Sequence, residues 1–121
     1  MPMYEDDWLM SQIRLLAASI AKIVFQKETV VYEVADEEDL GDTDELCLYL
    51  RALLDSGDIN EAEDALFDAL SPGDQSLLLL AVDFYQRLNK LTDDELLLRR
   101  FSRAEIYDGL QEVQRIYGIT F

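Results

Sequence analysis

The sequence predicts an all-α fold, a six-helix bundle of antiparallel helical hairpins, on three observations. Apolar residues recur at helical spacing through most of the chain. Four times an oxygen-bearing side chain stands three places before a glutamate, the pattern that satisfies the unpaired amides of a helix start. Five glycines and two prolines in 121 residues leave long stretches without a breaker. Half of the residues are hydrophobic, which closes the compositional route to disorder although 30% are charged. A chain of this length buries roughly two-thirds of its unfolded surface, enough for one domain over residues 1–121 with a single core.

A long N-terminal helix occupies residues 1–27, regular from Glu5 to Lys27. Leu9, Ile13, Leu16, Ile20 and Ile23 recur at steps of four, three, four and three, an amphipathic stripe some 30 Å long at about 1.5 Å per residue. Trp8, Leu15 and Val24 widen it, so this helix should pack on two neighbours, or on one neighbour and a second copy of the chain. Trp8, Leu9, Ile13, Leu16 and Ile20 are therefore the candidate oligomer face. Residues 28–42 form an acidic linker: Glu28 to Val34, β-branched and aromatic, is an ordered extended connection, and residues 35–42 are an acidic loop expected to be the most mobile part.

Helical hairpins follow over residues 43–118. The four start signals are Asp42 with Glu45, Asp58 with Glu61, Thr92 with Glu95 and Ser102 with Glu105, and Ser71-Pro72 supplies a fifth. They set helices near 43–56, 59–70, 73–90, 93–100 and 103–117. Leu46, Tyr49 or Leu50, Leu53 and Leu54 line the first of these; Ile59, Ala62, Leu66, Ala69 and Leu70 the second; Ile106, Leu110, Val113 and Tyr117 the last. Leu77 to Val82, then Phe84, Tyr85, Leu88 and Leu91, make the fourth helix apolar nearly all round, so it belongs at the centre. Gly118 should end the last helix in a left-handed cap, with Ile119 and Phe121 folding back.

The middle of the chain resembles a tetratricopeptide repeat over residues 46–72: helix, Gly57-Asp58 turn, helix, with Ala62, Leu66 and Ala69 at the family's offsets. Small residues at Ala62 and Ala69 let two helices approach closely, and Gly57 can take the positive φ of a tight turn. Leu50 replaces the family's small residue, Pro72 comes early, and Leu91 stands where a second repeat would place glycine, so the likeness covers a single hairpin and carries no peptide groove. The whole chain is similar to a group of short acidic helical bacterial proteins known only as a domain of unknown function. They share an opening like Glu5-Asp6-Asp7-Trp8-Leu9 before Ile13-Arg14-Leu15-Leu16. That resemblance implies a bacterial cytoplasmic origin and brings no activity.

Composition excludes much chemistry. There is no histidine and only one cysteine, so zinc sites built on these residues and intrachain disulfides lack their groups. Cys47, between Leu46 and Leu48, is expected in the core rather than as a nucleophile. The glycines are too scattered for a phosphate loop. Gly57 to Glu63 matches the second half of a calcium-binding EF-hand loop, but Ala52, Leu54 and Ser56 occupy the early ligand positions. No enzyme activity and no cofactor are expected.

Charge indicates partners instead. Residues 1–27 are net neutral, residues 28–74 hold sixteen acids and only Arg51, and residues 75–121 are net −1. The candidate interaction surface is Asp36, Glu37, Glu38, Asp39, Asp42, Asp44 and Glu45. Arg99, Arg100 and Arg103 form the one basic cluster, which could meet the acidic segment within the chain or across an oligomer. A net charge of −16 disfavours nucleic acid and anionic membrane. The acidic opening lacks a secretory signal, and Ile13 to Phe25 is too short an apolar stretch to span a bilayer, so a cytoplasmic location with no membrane contact is expected. The function expected is a non-enzymatic protein–protein interaction module that forms a homo-oligomer. The alternative is an acidic regulator that mimics nucleic acid and binds a basic protein.

Overall fold

The computed structural model describes residues 2–34 and 38–121, with side chains from Asp6 onward. It is all-α: α1 (Pro2–Ile20) runs into a π-helical turn (Ala21–Phe25), followed by α2 (Asp42–Asp55), α3 (Ile59–Ala69), α4 (Gln75–Asn89), α5 (Asp93–Leu98) and α6 (Arg103–Ile116). No strand occurs among the described residues. Helix α1 packs on α6 and α4, α4 packs on α6, and the α2–α3 hairpin joins through α2 against α4.

Helix α4 is the hub, as its all-round apolarity predicts: Leu78, Leu80, Ala81, Val82, Phe84, Tyr85 and Leu88 are all buried. One continuous core joins them to Ile13 and Ile20 of α1, Leu50 of α2, Leu66 of α3, Leu96 of α5 and Ile106, Leu110 and Val113 of α6. Phe84 and Tyr85 meet edge to face with ring centres 5.1 Å apart, a favoured aromatic geometry. Against α4 the choice on α2 falls on Leu50, which is buried, while Tyr49 stays exposed.

The predicted starts divide into those that form and those that do not. Thr92 with Glu95 and Ser102 with Glu105 make reciprocal capping boxes. At α2 the start shifts by one residue and only half of the box forms: Gly41 is the cap and has no side chain to accept, while the Asp44 carboxylate accepts its amide. Asp58 caps α3 without a side-chain hydrogen bond. Helix α4 starts later than Ser71-Pro72 suggests, because Pro72 and Gly73 form a turn and Asp74 accepts from the Leu77 amide instead. Gly57 and Gly118 take the expected positive φ of 82° and 63°. Ile119 packs back on the core, but Phe121 stays exposed.

The N-terminal helix departs from a regular coil. It widens to a π turn at Ala21 and ends at Gln26, which adopts a left-handed φ of 56° and reverses the chain. By length and composition Asp6–Phe25 would suffice to cross a bilayer, a longer apolar run than residues 13–25 suggested. In the fold its Ile13, Ala17, Ile20 and Ala21 are instead buried against the bundle.

Helix α6 approaches α4 through Gly109. A methyl group there would lie 2.2 Å from the Tyr85 hydroxyl oxygen and 2.4 Å from its ring, well inside contact distance. Gly109→Ala should therefore destabilise the protein by about 1–3 kcal/mol, the usual cost of overpacking a filled core. Urea unfolding followed by circular dichroism measures it, and a wild-type midpoint would contradict the packing described.

Candidate functional site

The connection after the π turn is a strap rather than a free linker. Burial alternates along it, with Val30 and Tyr32 inward and Val31 and Glu33 outward, as extended backbone requires. Four side chains hold it. Gln86 donates to the Val30 carbonyl at 2.6 Å, and Arg51 donates to the Tyr32 carbonyl at 2.8 Å. The Tyr32 amide donates to Asp83, and its hydroxyl donates to Asp44 at 2.7 Å. Burial, reinforced by the Asp44 carboxylate, holds the Tyr32 phenol far above its ordinary range. Asp83, itself buried, is paired with Arg87 at 2.8 Å.

This dismantles part of the acidic surface expected from sequence. Asp44 faces the strap and the α2 cap, so it belongs to the fold and not to a partner. Asp39, Asp42 and Glu45 are exposed and Glu38 lies on the same exposed stretch, whereas Asp36 and Glu37 fall outside the described residues. The basic cluster is also divided. Arg103 is buried, its guanidinium donating to Asn89, the Leu91 carbonyl and Asp93, which ties the α4–α5 corner to α6. Arg99 and Arg100 sit beside the Gly57–Glu61 turn of the acidic segment, sharing a cavity of about 380 Å³ with it. Asn60 donates to the Arg100 carbonyl there at 3.5 Å.

Chemically reactive geometry is sparse. The Cys47 thiol is buried and its pKa is raised, chiefly by desolvation, the opposite of an activated nucleophile. A shallow concavity of about 310 Å³ gathers Glu63, Glu105, Asp108 and Glu112 around Phe67 and Gly109. Three of those acids already have partners: Glu105 in the Ser102 cap, Glu112 on Arg115, and Glu63 on Tyr85. Glu63 accepts from the Tyr85 hydroxyl at 2.6 Å. Burial raises the Glu63 carboxyl above its ordinary 4.5, the Tyr85 hydrogen bond opposes that, and Glu105 and Asp64 add to it.

The candidate oligomer face needs the largest correction. Ile13 and Ile20 are fully buried in the chain's own core, and Leu9 and Leu16 are half-buried beside them. Of the five residues expected there, Trp8 alone lies open, at 59%. Leu15, 61% exposed, belongs with it: seven residues fall about 20° short of two helical turns, so the two share one line on the helix, opposite Ile13. On a regular α-helix Ile23 would sit about 80° off that line, but the π turn has more residues per revolution and keeps it nearer. Ile23 is also more than half exposed. Ser11, Gln12 and Ser19 fill the rest of the outward face, so it is uncharged from Trp8 to Ser19. Asp6 and Asp7 lie at one end, Lys22 and Lys27 at the other. Sequence spacing did include Leu15 in the stripe, but it could not say which side the bundle would take.

The sequence profile of a family of unknown function, DUF6483, matches residues 3–118, nearly the whole chain, and the protein belongs to that family. Neither a curated protein nor a solved structure matches it.

Because Glu63 binds its proton more tightly in the folded chain than in the unfolded one, its contribution to stability is full below 4.5 and is lost as pH rises through the raised folded value. Glu63→Gln keeps an acceptor for Tyr85 and removes the titration. The variant should unfold at higher urea than wild type at neutral pH, with the advantage shrinking as pH falls towards 4.5. Parallel unfolding curves across that range check it, and a constant difference would mean that Glu63 does not titrate as described.

Proposed function

We propose that this protein is a non-enzymatic interaction module whose outward α1 face pairs with the same face of a second copy. The observation that carries the reading is the uncharged stripe of Trp8, Leu15 and Ile23 on a chain of net charge −16. Two such molecules repel at most orientations, and residues 1–27 are the net-neutral part of the sequence where that repulsion is least. An antiparallel arrangement about a two-fold axis near Leu15 sets Trp8 of one copy towards Ile23 of the other. It also sets the Asp6–Asp7 end beside the partner helix's Lys22–Lys27 end, a match that the parallel arrangement lacks. The absence of histidine and the buried, raised thiol of Cys47 support association rather than catalysis. The other reading, an acidic surface for a basic protein, draws on fewer residues than the composition suggests, since Asp44 is engaged internally.

One helix per subunit makes a small interface, so the equilibrium should show concentration dependence around tens of micromolar. Sedimentation velocity should find a dimer that Leu15→Glu abolishes without altering the circular dichroism, because Leu15 faces away from the core. Trp8 is the only tryptophan, so its emission should shift to the blue as the dimer forms. Lys22→Glu should weaken pairing, and adding Asp7→Lys should restore it. A wild-type monomer throughout that range would remove the proposal.

A further inference from the structure

Beside the pairing face, and independent of it, a groove of about 620 Å³ runs between α1, the strap and the C-terminal half of α4. Its volume lies within the range of about 300–1,000 Å³ usual for small-molecule sites. Ile13, Ala17 and Val30 lie beneath it as a sealed apolar floor, the apolar surface open to a guest is that of Met10, Ala18 and Val31, and Ala17 and Ala18 leave room because their side chains end at Cβ. The amides that reach the groove already have partners: Gln86 donates to the Val30 carbonyl, and Asn89 donates to the Met10 carbonyl while accepting from Arg103. The floor therefore presents little to a polar guest.

The rim is different. Arg14 and Lys90 both line the groove, with Glu28 as the one acid there. Arg14 donates to the Met10 sulfur at 3.1 Å, a weak acceptor, and forms no ion pair among the described residues. Lys90 forms none either. Of the ten bases, Arg51, Arg87, Arg99, Arg103 and Arg115 each donate to an oxygen, whereas Arg14, Lys22, Lys27, Lys90 and Arg100 do not among the described residues. Arg14 and Lys90 are the two of these five that share one apolar groove, where they outnumber the single acid Glu28 and complement an anionic head group.

We propose that this groove binds a monomeric amphiphilic anion of the fatty-carboxylate class. Its alkyl chain lies against Met10, Ala18 and Val31, and its carboxylate accepts from Arg14 and Lys90. Free amphiphile, rather than one held in a bilayer, is the occupant, because a body of charge −16 is repelled by an anionic lipid surface.

The probe is dodecanoate below its micelle concentration, titrated calorimetrically into wild type and into Leu15→Glu, so that loss of pairing and loss of binding are read separately. Saturable binding of one dodecanoate per chain is expected in both. It should weaken roughly tenfold in the Arg14→Gln, Lys90→Gln double variant, whose two sites are solvent-facing. Ala18→Phe, which fills the groove from its half-buried edge, should block it. Dodecyltrimethylammonium, with the same chain and opposite charge, should bind more weakly than dodecanoate. Equal binding of the cation, indifference to the double variant, no saturable binding, or binding seen only with anionic vesicles would each overturn the proposal.

Discussion

Helix α4 carries leucine or aromatic residues around more than half of its circumference and meets water only on the side of Gln75, Ser76, Gln86 and Arg87, and the architecture follows from that constraint. Leu78, Leu80, Ala81, Val82, Phe84, Tyr85 and Leu88 point around most of its circumference, so elements must close on it from several directions. Helices α1 and α6 do so as long rods, α2 as the near arm of a hairpin, and the strap as a single extended segment. A fully buried Leu or Phe contributes about 1.5–3 kcal/mol, whereas a helix cap contributes about 1. Hence the caps can shift, by one residue from Asp42 to Gly41 and by three from Ser71 to Asp74, without disturbing where the helices pack.

Enclosing α4 leaves polar backbone to satisfy at the strap, which no sheet partner covers. Asp83, Gln86 and Arg51 supply the missing partners, and Arg87 offsets the charge of a buried Asp83. Arg103 does the equivalent at the α4–α5 corner, donating to the Asn89 and Leu91 carbonyls at a chain reversal. These polar groups serve the fold, and Asp44 and Arg103, which looked like surface charge in the sequence, are engaged within it.

Local signals were legible and long-range ones were not, for a physical reason. The number and order of the helices, the α4 hub, the Gly57 and Gly118 turns and the buried Cys47 depend on spacing within one segment, and these appear as expected although some helix ends move. The fate of Arg103, Asp44 and Gly109 depends on residues distant in the chain. Nothing near Gly109 announces that Tyr85, twenty-four positions earlier, will occupy the space of its missing side chain. Likewise the spacing of Leu9, Ile13, Leu16 and Ile20 identifies a buried stripe but not its cover, and the bundle itself supplies it.

What remains outward on α1 is then informative because it is not required by the fold. Core formation explains Ile13 and Ile20, but no contact within the chain explains an exposed tryptophan and leucine two turns apart on a helix whose opposite side is buried. The π turn rotates the helix end so that Ile23 stays near that line while Ala21 enters the core. It thereby serves two surfaces at once, and it ends in the left-handed Gln26 that sends the strap back along α4. The outward face, the groove and the start of the strap thus depend on one helix. A change at the π turn that restored regular α-geometry would move Ile23 off the outward line and misdirect the strap together, so the two features cannot vary independently.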